Sequence, residues 1–256
     1  MILDLSVWQV AAVGGCCVVA AFTQSVSSFG FGIVTVALLP LVGVGIQDTV
    51  VLAGTLVIPN IVVVLWRMRR HLSLRRVGWL LLGVPLGLPV GLYLLAWGPE
   101  WVLRLLLGAT LVFMAVEPFL RKPSEPSPAH RGWAFAAGVC SGALGGALST
   151  GGPPVVIYFY RRHWTKELTK ASIILTFAGT VSARAVAYVP AGLFTSGRLV
   201  AIAALAPAVV VGSLLGERLF GSLGQTAFRR IVGCVLAICG VYQLVAAARL
   251  LLETAV

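Results

Sequence analysis

Long apolar stretches run the whole length of the chain, separated by short polar, basic or glycine- and proline-rich interruptions and without the alternation of strands. Each stretch predicts a helix. The first covers 15 residues, 8–22, and the polar, glycine-containing stretch 23–32 separates it from a second apolar helix ending near Val44. At 1.5 Å per residue the first helix reaches roughly 22 Å, short of a hydrocarbon core of roughly 30 Å. It therefore reads as one arm of a hairpin of two short helices; the other reading is two ordinary spans joined by a polar turn at the surface. The runs 48–66, 77–97 and 101–120 are each long enough to cross, with Pro59 and Pro85 expected to kink their helices. The segment 121–131, with Pro123, Pro126 and Pro128, has no apolar period and reads as a linker. Beyond it come 133–147, 153–161, 169–188, 198–215 and 227–248.

The break between 147 and 153 is the most informative stretch. Ser149-Thr150-Gly151-Gly152-Pro153-Pro154 ends one helix and predicts the start of another near Pro153, since proline suits a first helical turn. Ser149 and Thr150 are residue types that cap such a start. The unhindered Gly151 and Gly152 amides, at a helix N-terminus, suit an anion. The plainer reading is a tight turn between packed membrane helices.

Composition fixes the class. Of 256 residues, 59% are hydrophobic and 11% charged, and the mean hydropathy is +1.00, well outside the range of soluble domains. The fold class is all-α integral membrane, a polytopic bundle of about ten segments. The net charge of +11 sits in short loops beside apolar runs, which speaks for membrane topology and against nucleic acid. Cys16, Cys17, Cys140, Cys234 and Cys239 lie inside apolar runs and read as packing residues. His71, His130 and His163 stand in basic loops, and no HExxH or Ser/His/Asp pattern occurs, so neither an enzyme nor a metal or cofactor is expected. The N-terminus lacks the basic region and cleavage site of a signal peptide, and the first run is expected to be retained.

The two sides of the linker match. A shift of 121 residues places Gly30 on Gly151, Asp48 on Thr169, Val77 on Arg198 and Gly91 on Gly212, and a shift of 125 places Arg104 on Arg229 and Gly108 on Gly233. Five segments per half make the second copy enter from the opposite face. The expected division is thus a first membrane repeat over 1–120, a cytoplasmic linker over 121–131 and a second repeat over 132–256, in the inverted arrangement of many secondary transporters. With the loop 67–76 in the cytoplasm, 15 of the 19 Lys and Arg residues fall inside, leaving Arg104, Arg198 and Arg249 outside and Arg184 within a span. The positive-inside rule then puts both termini outside. All seven tryptophans lie at or near segment ends, as interfacial anchors do.

Polar groups at membrane depth are the candidate substrate-binding residues. Gln24, Ser25 and Ser28 stand in the first break, with Ser27 beside them and Gly30 at the place of Gly151; Ser149, Thr150, Gly151 and Gly152 form the second. Facing helix starts of this kind make one midplane site for an anion. Each serine also suits plain helix packing. Arg184 is the basic residue inside a span, a functional candidate by position, yet it stands six residues before Pro190, and snorkelling to the outer interface is the favoured reading over a substrate-gating role. Glu117 reads as interfacial. Asn60, after Pro59, either satisfies carbonyls freed by the kink or lines the pathway.

Gln24-Ser25 with Gly30-Phe31-Gly32 in one half, and Ser149-Thr150-Gly151-Gly152-Pro153-Pro154-Val155-Val156-Ile157-Tyr158 in the other, resemble the sulfite exporter TauE/SafE family of membrane permeases. Phe31 interrupts the glycine cluster often seen there. The resemblance implies transport of sulfite, an organosulfonate or a related sulfur-containing anion across the bacterial inner membrane. Residue pattern alone reaches a secondary transporter of an anion. Import of sulfonates or small carboxylates, and a channel without a turnover cycle, are the alternatives. The partners expected are the anion and the lipid bilayer, with homo-oligomerisation left open.

Overall fold

The computed structural model describes residues 7–120, 130–162, 164–219 and 225–254. They form ten α-helices: α1 (Val7–Ser27), α2 (Phe31–Leu38), α3 (Ile46–Met68), α4 (Leu74–Trp97), α5 (Glu100–Leu120), α6 (Arg131–Leu148), α7 (Gly152–Tyr160), α8 (Lys166–Tyr188), α9 (Ser196–Leu219) and α10 (Gln225–Thr254). A short 3-10 helix, Leu39–Val42, continues α2, and another, Arg69–His71, follows α3. All but two residues of the expected linker lie outside the described residues, as do the side chains of Glu117, Arg229, Arg230 and Cys234 and all of His163.

The chain is a helical membrane protein. Among the described residues five helices, α1, α3, α4, α8 and α9, are long and apolar enough to cross a bilayer. Pro59, Pro85, Pro89 and Pro207 are carried inside unbroken helices.

One expectation fails at α1. The helix does not stop at Phe22; it continues through Thr23, Gln24 and Ser25 to Ser27, 21 residues in all, or roughly 31 Å. The hairpin therefore pairs one long arm with a short one, and the second hairpin does the same, with 18 residues in α6 and 9 in α7. The end of α1 is held from other helices at Ala21 and Ser25. Asn60 Nδ2 donates to the Ala21 carbonyl (3.1 Å), Ser25 Oγ (2.9 Å) and Ser213 Oγ (2.8 Å), and Lys170 Nζ donates to the Ser25 carbonyl (2.6 Å). Asn60 thus stitches α3 to α1 and α9.

The principal packing pairs are α4 with α6, α5 with α10, and α1 with α9; α3 lies at the centre against α8 and α9. Apolar contact is no driving force between helices in lipid, so close packing depends on small residues. The α4–α6 seam is lined by Gly83, Gly87 and Gly91 on one side and Gly138, Gly142 and Gly146 on the other, and a Cβ at any of them would run into the facing backbone. On α4 the opposite face carries Leu82, Leu86 and Val90, 60–66% exposed, as a lipid-facing surface should be. Gly212 and Gly216 fit α9 in the same way against the Val18 and Phe22 carbonyls of α1. Trp8, Trp66, Trp79, Trp97 and Trp133 are exposed at or near helix ends.

Two ion pairs stand outside these seams, one buried and one part-buried. Lys170, in the first turns of α8, pairs with Glu217 near the end of α9 at 2.6 Å, with 1% and 3% of their side chains exposed. The count of basic loop residues assigns Lys170 to the cytoplasmic surface; it is a core residue instead. Arg198, at the start of α9, pairs with Asp48 at the start of α3, also at 2.6 Å.

Candidate functional site

The two helix breaks meet. Gly32, in the first turn of α2, lies so close to the Ser149 carbonyl that no side chain fits between them, and a Cβ at Gly152 would touch Phe29 (3.8 Å). Each break turns through a left-handed serine, Ser28 at φ 73° and Ser149 at φ 55°, and Gly30 at φ 115° precedes α2. The new helix after the second break begins at Gly152, with proline in its first turn as expected.

Between the breaks is a cavity of about 40 Å³, lined by Gln24, Gly30, Ser149, Thr150, Gly151, Gly152 and Arg184 among the expected residues. A single water needs about 10–15 Å³ on this scale, so the space holds a small anion or a few waters. Gly32, Ser141, Phe177 and Thr180 also line it. Their signal in the sequence was weak, because an isolated Ser or Thr in an apolar helix is common packing material.

Ser25 and Ser28 do not line the cavity. Ser25 is taken up by Asn60 and Lys170, and Ser28 serves the turn, its amide donating to the Gln24 carbonyl (2.8 Å). Ser149 differs from expectation as well. It does not cap α7; it terminates α6 and donates its hydroxyl to the Val50 carbonyl of α3 (2.7 Å).

Gln24 is fixed at one end, with Oε1 accepting from the Phe31 amide (3.0 Å), while its Nε2 is buried without a partner. Thr150 Oγ1 is likewise unpartnered, in a residue 1% exposed. Arg184 does not snorkel. It is 3% exposed, and its two terminal nitrogens donate to the Gly145 carbonyl of α6 (2.8 Å) and the Gly54 carbonyl of α3 (2.9 Å), leaving Nε without a partner. A buried cation held only by carbonyl dipoles is costly until an anion joins it. The starts of α2 and α7 border the same space, and their dipoles add to its positive character. Three residues that line a space of anion size, Gln24 on α1, Thr150 in the second break and Arg184 on α8, thus each carry a buried donor without a partner, one of them charged.

Among the described residues no cluster of metal-ligating side chains gathers. No solved structure matches the chain. A protein of Cupriavidus necator named as a probable sulfite/organosulfonate exporter TauE is 26% identical over 219 residues, which is 84% of this chain and 86% of that one. The model of the family described as sulfite exporter TauE/SafE matches residues 13–243, both helix breaks and every cavity residue included. The chain belongs to the sulfite exporter TauE/SafE family.

Proposed function

We propose that the protein is a secondary transporter of the bacterial inner membrane that exports sulfite, an organosulfonate or a related sulfur-containing anion by alternating access. The anion sits in the cavity between the two breaks, against Gln24 Nε2, Thr150 Oγ1 and Arg184 Nε. The unpartnered state of these three buried donors carries the reading. An unmade buried hydrogen bond costs about 1–3 kcal/mol, and a bound oxyanion removes all three costs together.

The halves are related as inverted repeats with both termini outside. In support, exchanging the halves turns the α1–α9 pairing into α6–α4, and α2 on α1 into α7 on α6, while α3–α8 and α5–α10 map onto themselves. Export is the favoured direction because an inside-negative potential drives anion efflux by about 2.3 kcal/mol per charge per 100 mV.

Thr150→Val tests the site, since it removes one unpartnered hydroxyl and keeps the shape. Purified protein titrated with sulfite, sulfate, thiosulfate, taurine, sulfoacetate and acetate should bind one or more of the sulfur anions, and the variant should bind about tenfold more weakly at undiminished thermal stability. Unchanged affinity would move the site elsewhere. Saturable counterflow in proteoliposomes distinguishes a carrier from a channel.

A further inference from the structure

Two buried cations on α8 each reach the broken end of a long hairpin arm. Lys170 Nζ donates to the Ser25 carbonyl at the end of α1 (2.6 Å), and Arg184 Nη1 to the Gly145 carbonyl near the end of α6 (2.8 Å). At 1.5 Å per residue they stand about 21 Å apart along the helix. Their surroundings differ in one respect. Glu217 neutralises Lys170 at 2.6 Å, whereas among the described residues only carbonyls hold Arg184. Lys170 also lies outside the cavity lining. Its charge is already answered within the fold, and it is no second anion site.

What Lys170 does hold is the residue beside Gln24. The last carbonyls of a helix have no partner within it, and at the end of α1 the Ser28 amide takes the Gln24 carbonyl (2.8 Å) while Lys170 takes the next one. A cation suits that place, the negative end of the helix dipole. The Ser25 hydroxyl accepts from Asn60 Nδ2 (2.9 Å), and Gln24 Oε1 from the Phe31 amide (3.0 Å). Gln24 is thus fixed by α2 through its own amide oxygen, and by α3 and α8 through its neighbour. The group left over is Nε2, buried and without a partner in a residue that lines the cavity.

We propose that Lys170 is a positioning residue of the anion site: its ammonium, kept in place by Glu217, caps the broken end of α1 and holds Gln24 where Nε2 meets the anion. A purely structural ion pair would need Glu217 alone. The bond to the Ser25 carbonyl carries the hold of the pair into the site, so that affinity for the anion depends on two charges that do not touch it. This rests on the cavity being the anion site.

The test is a binding cycle in the full-length purified protein, titrated with sulfite and with taurine and checked for folding by thermal unfolding. Lys170→Met with Glu217→Met removes the ammonium without stranding a carboxylate, and Lys170→Leu with Glu217→Gln does so in a second way. Each pair is measured in the otherwise unmutated chain, with Gln24→Leu and with Thr150→Val. The folded pair variants should bind about tenfold more weakly than the unmutated protein. With Gln24→Leu that loss should vanish, because the group being positioned is gone, whereas with Thr150→Val it should add to the loss already present. A folded pair variant that binds at unmutated affinity would overturn the role of Lys170, and so would a loss that persists in full with Gln24→Leu; weakened binding by Thr150→Val would then leave the cavity site standing. Failure of both pair variants to fold would overturn it too, by making Lys170 a residue of the fold alone. Undiminished binding by Thr150→Val, or none by the unmutated protein, would remove the cavity site and this assignment with it.

Discussion

Ser28 and Ser149 stand 121 residues apart and adopt the same left-handed backbone, and each closes its helix by donating its amide to the carbonyl four residues back, Gln24 at 2.8 Å and Gly145 at 3.0 Å. Among the described residues they are the two non-glycine positions with positive φ, a conformation uncommon outside glycine. The same displacement relates Gly30 to Gly151 and Gly91 to Gly212. Two breaks built alike, on helices that pack alike, support the duplication proposed for the chain.

Inverted halves have a direct consequence for labelling. Cysteines placed in the 67–76 loop should react with a membrane-impermeant reagent only from the cytoplasmic side, and those at residue 98 and beyond residue 250 only from outside. A C-terminus labelled from the cytoplasm would refute the inverted arrangement.

The paired glycines of the second break should respond differently. A Cβ at Gly151 would stand 2.5 Å from the Ser141 carbonyl, which is backbone, whereas at Gly152 its first contact is Phe177 at 3.6 Å. Gly151→Ala should cost about 1–3 kcal/mol of stability, and Gly152→Ala should be nearly neutral. Thermal unfolding in detergent followed by size-exclusion chromatography measures both.

For Arg184, lysine should be a poor replacement. The guanidinium spans carbonyls on α3 and α6, and a single ammonium does not reproduce that fork. Arg184→Lys and Arg184→Ala should both lose at least about tenfold in sulfite counterflow, and both should unfold at lower temperature because carbonyls are left unpaired. Full transport by Arg184→Lys would show that charge alone suffices.

The Lys170–Glu217 pair calls for a double-mutant cycle. Lys170→Met strands a buried carboxylate and should cost about 3–5 kcal/mol, while Lys170→Met combined with Glu217→Met should recover most of the loss. A double variant no more stable than the single one would mean that Lys170 acts mainly through the Ser25 carbonyl, which it also holds at 2.6 Å.

Helix count, the second break and the start of α7 were legible because glycine and proline punctuate the apolar runs and constrain the backbone locally. What depended on distant partners was not. Local composition places Thr23, Gln24 and Ser25 in a loop; in the structure they stay helical, with Asn60 on α3 and Lys170 on α8 bonded to Ser25. Lys170 resembles any basic residue at a helix start, since Glu217 is 47 positions away. Arg184 looks shallow when counted from Pro190; the broken end of α6 brings the Gly145 carbonyl to its level and encloses it.

The packing of α1 on α9 also has a consequence in time. About 170 residues separate the end of α1 from the start of α9, and at roughly 5–20 residues per second their synthesis takes on the order of 10 to 35 s. Through that interval Ser213 and Lys170, which later join Asn60 and Ser25, do not all exist, and the Val18 and Phe22 backbone has no glycine face to meet. Until then α1 has its contacts with α2 and α3, Asn60 among them, in place of the glycine face of α9.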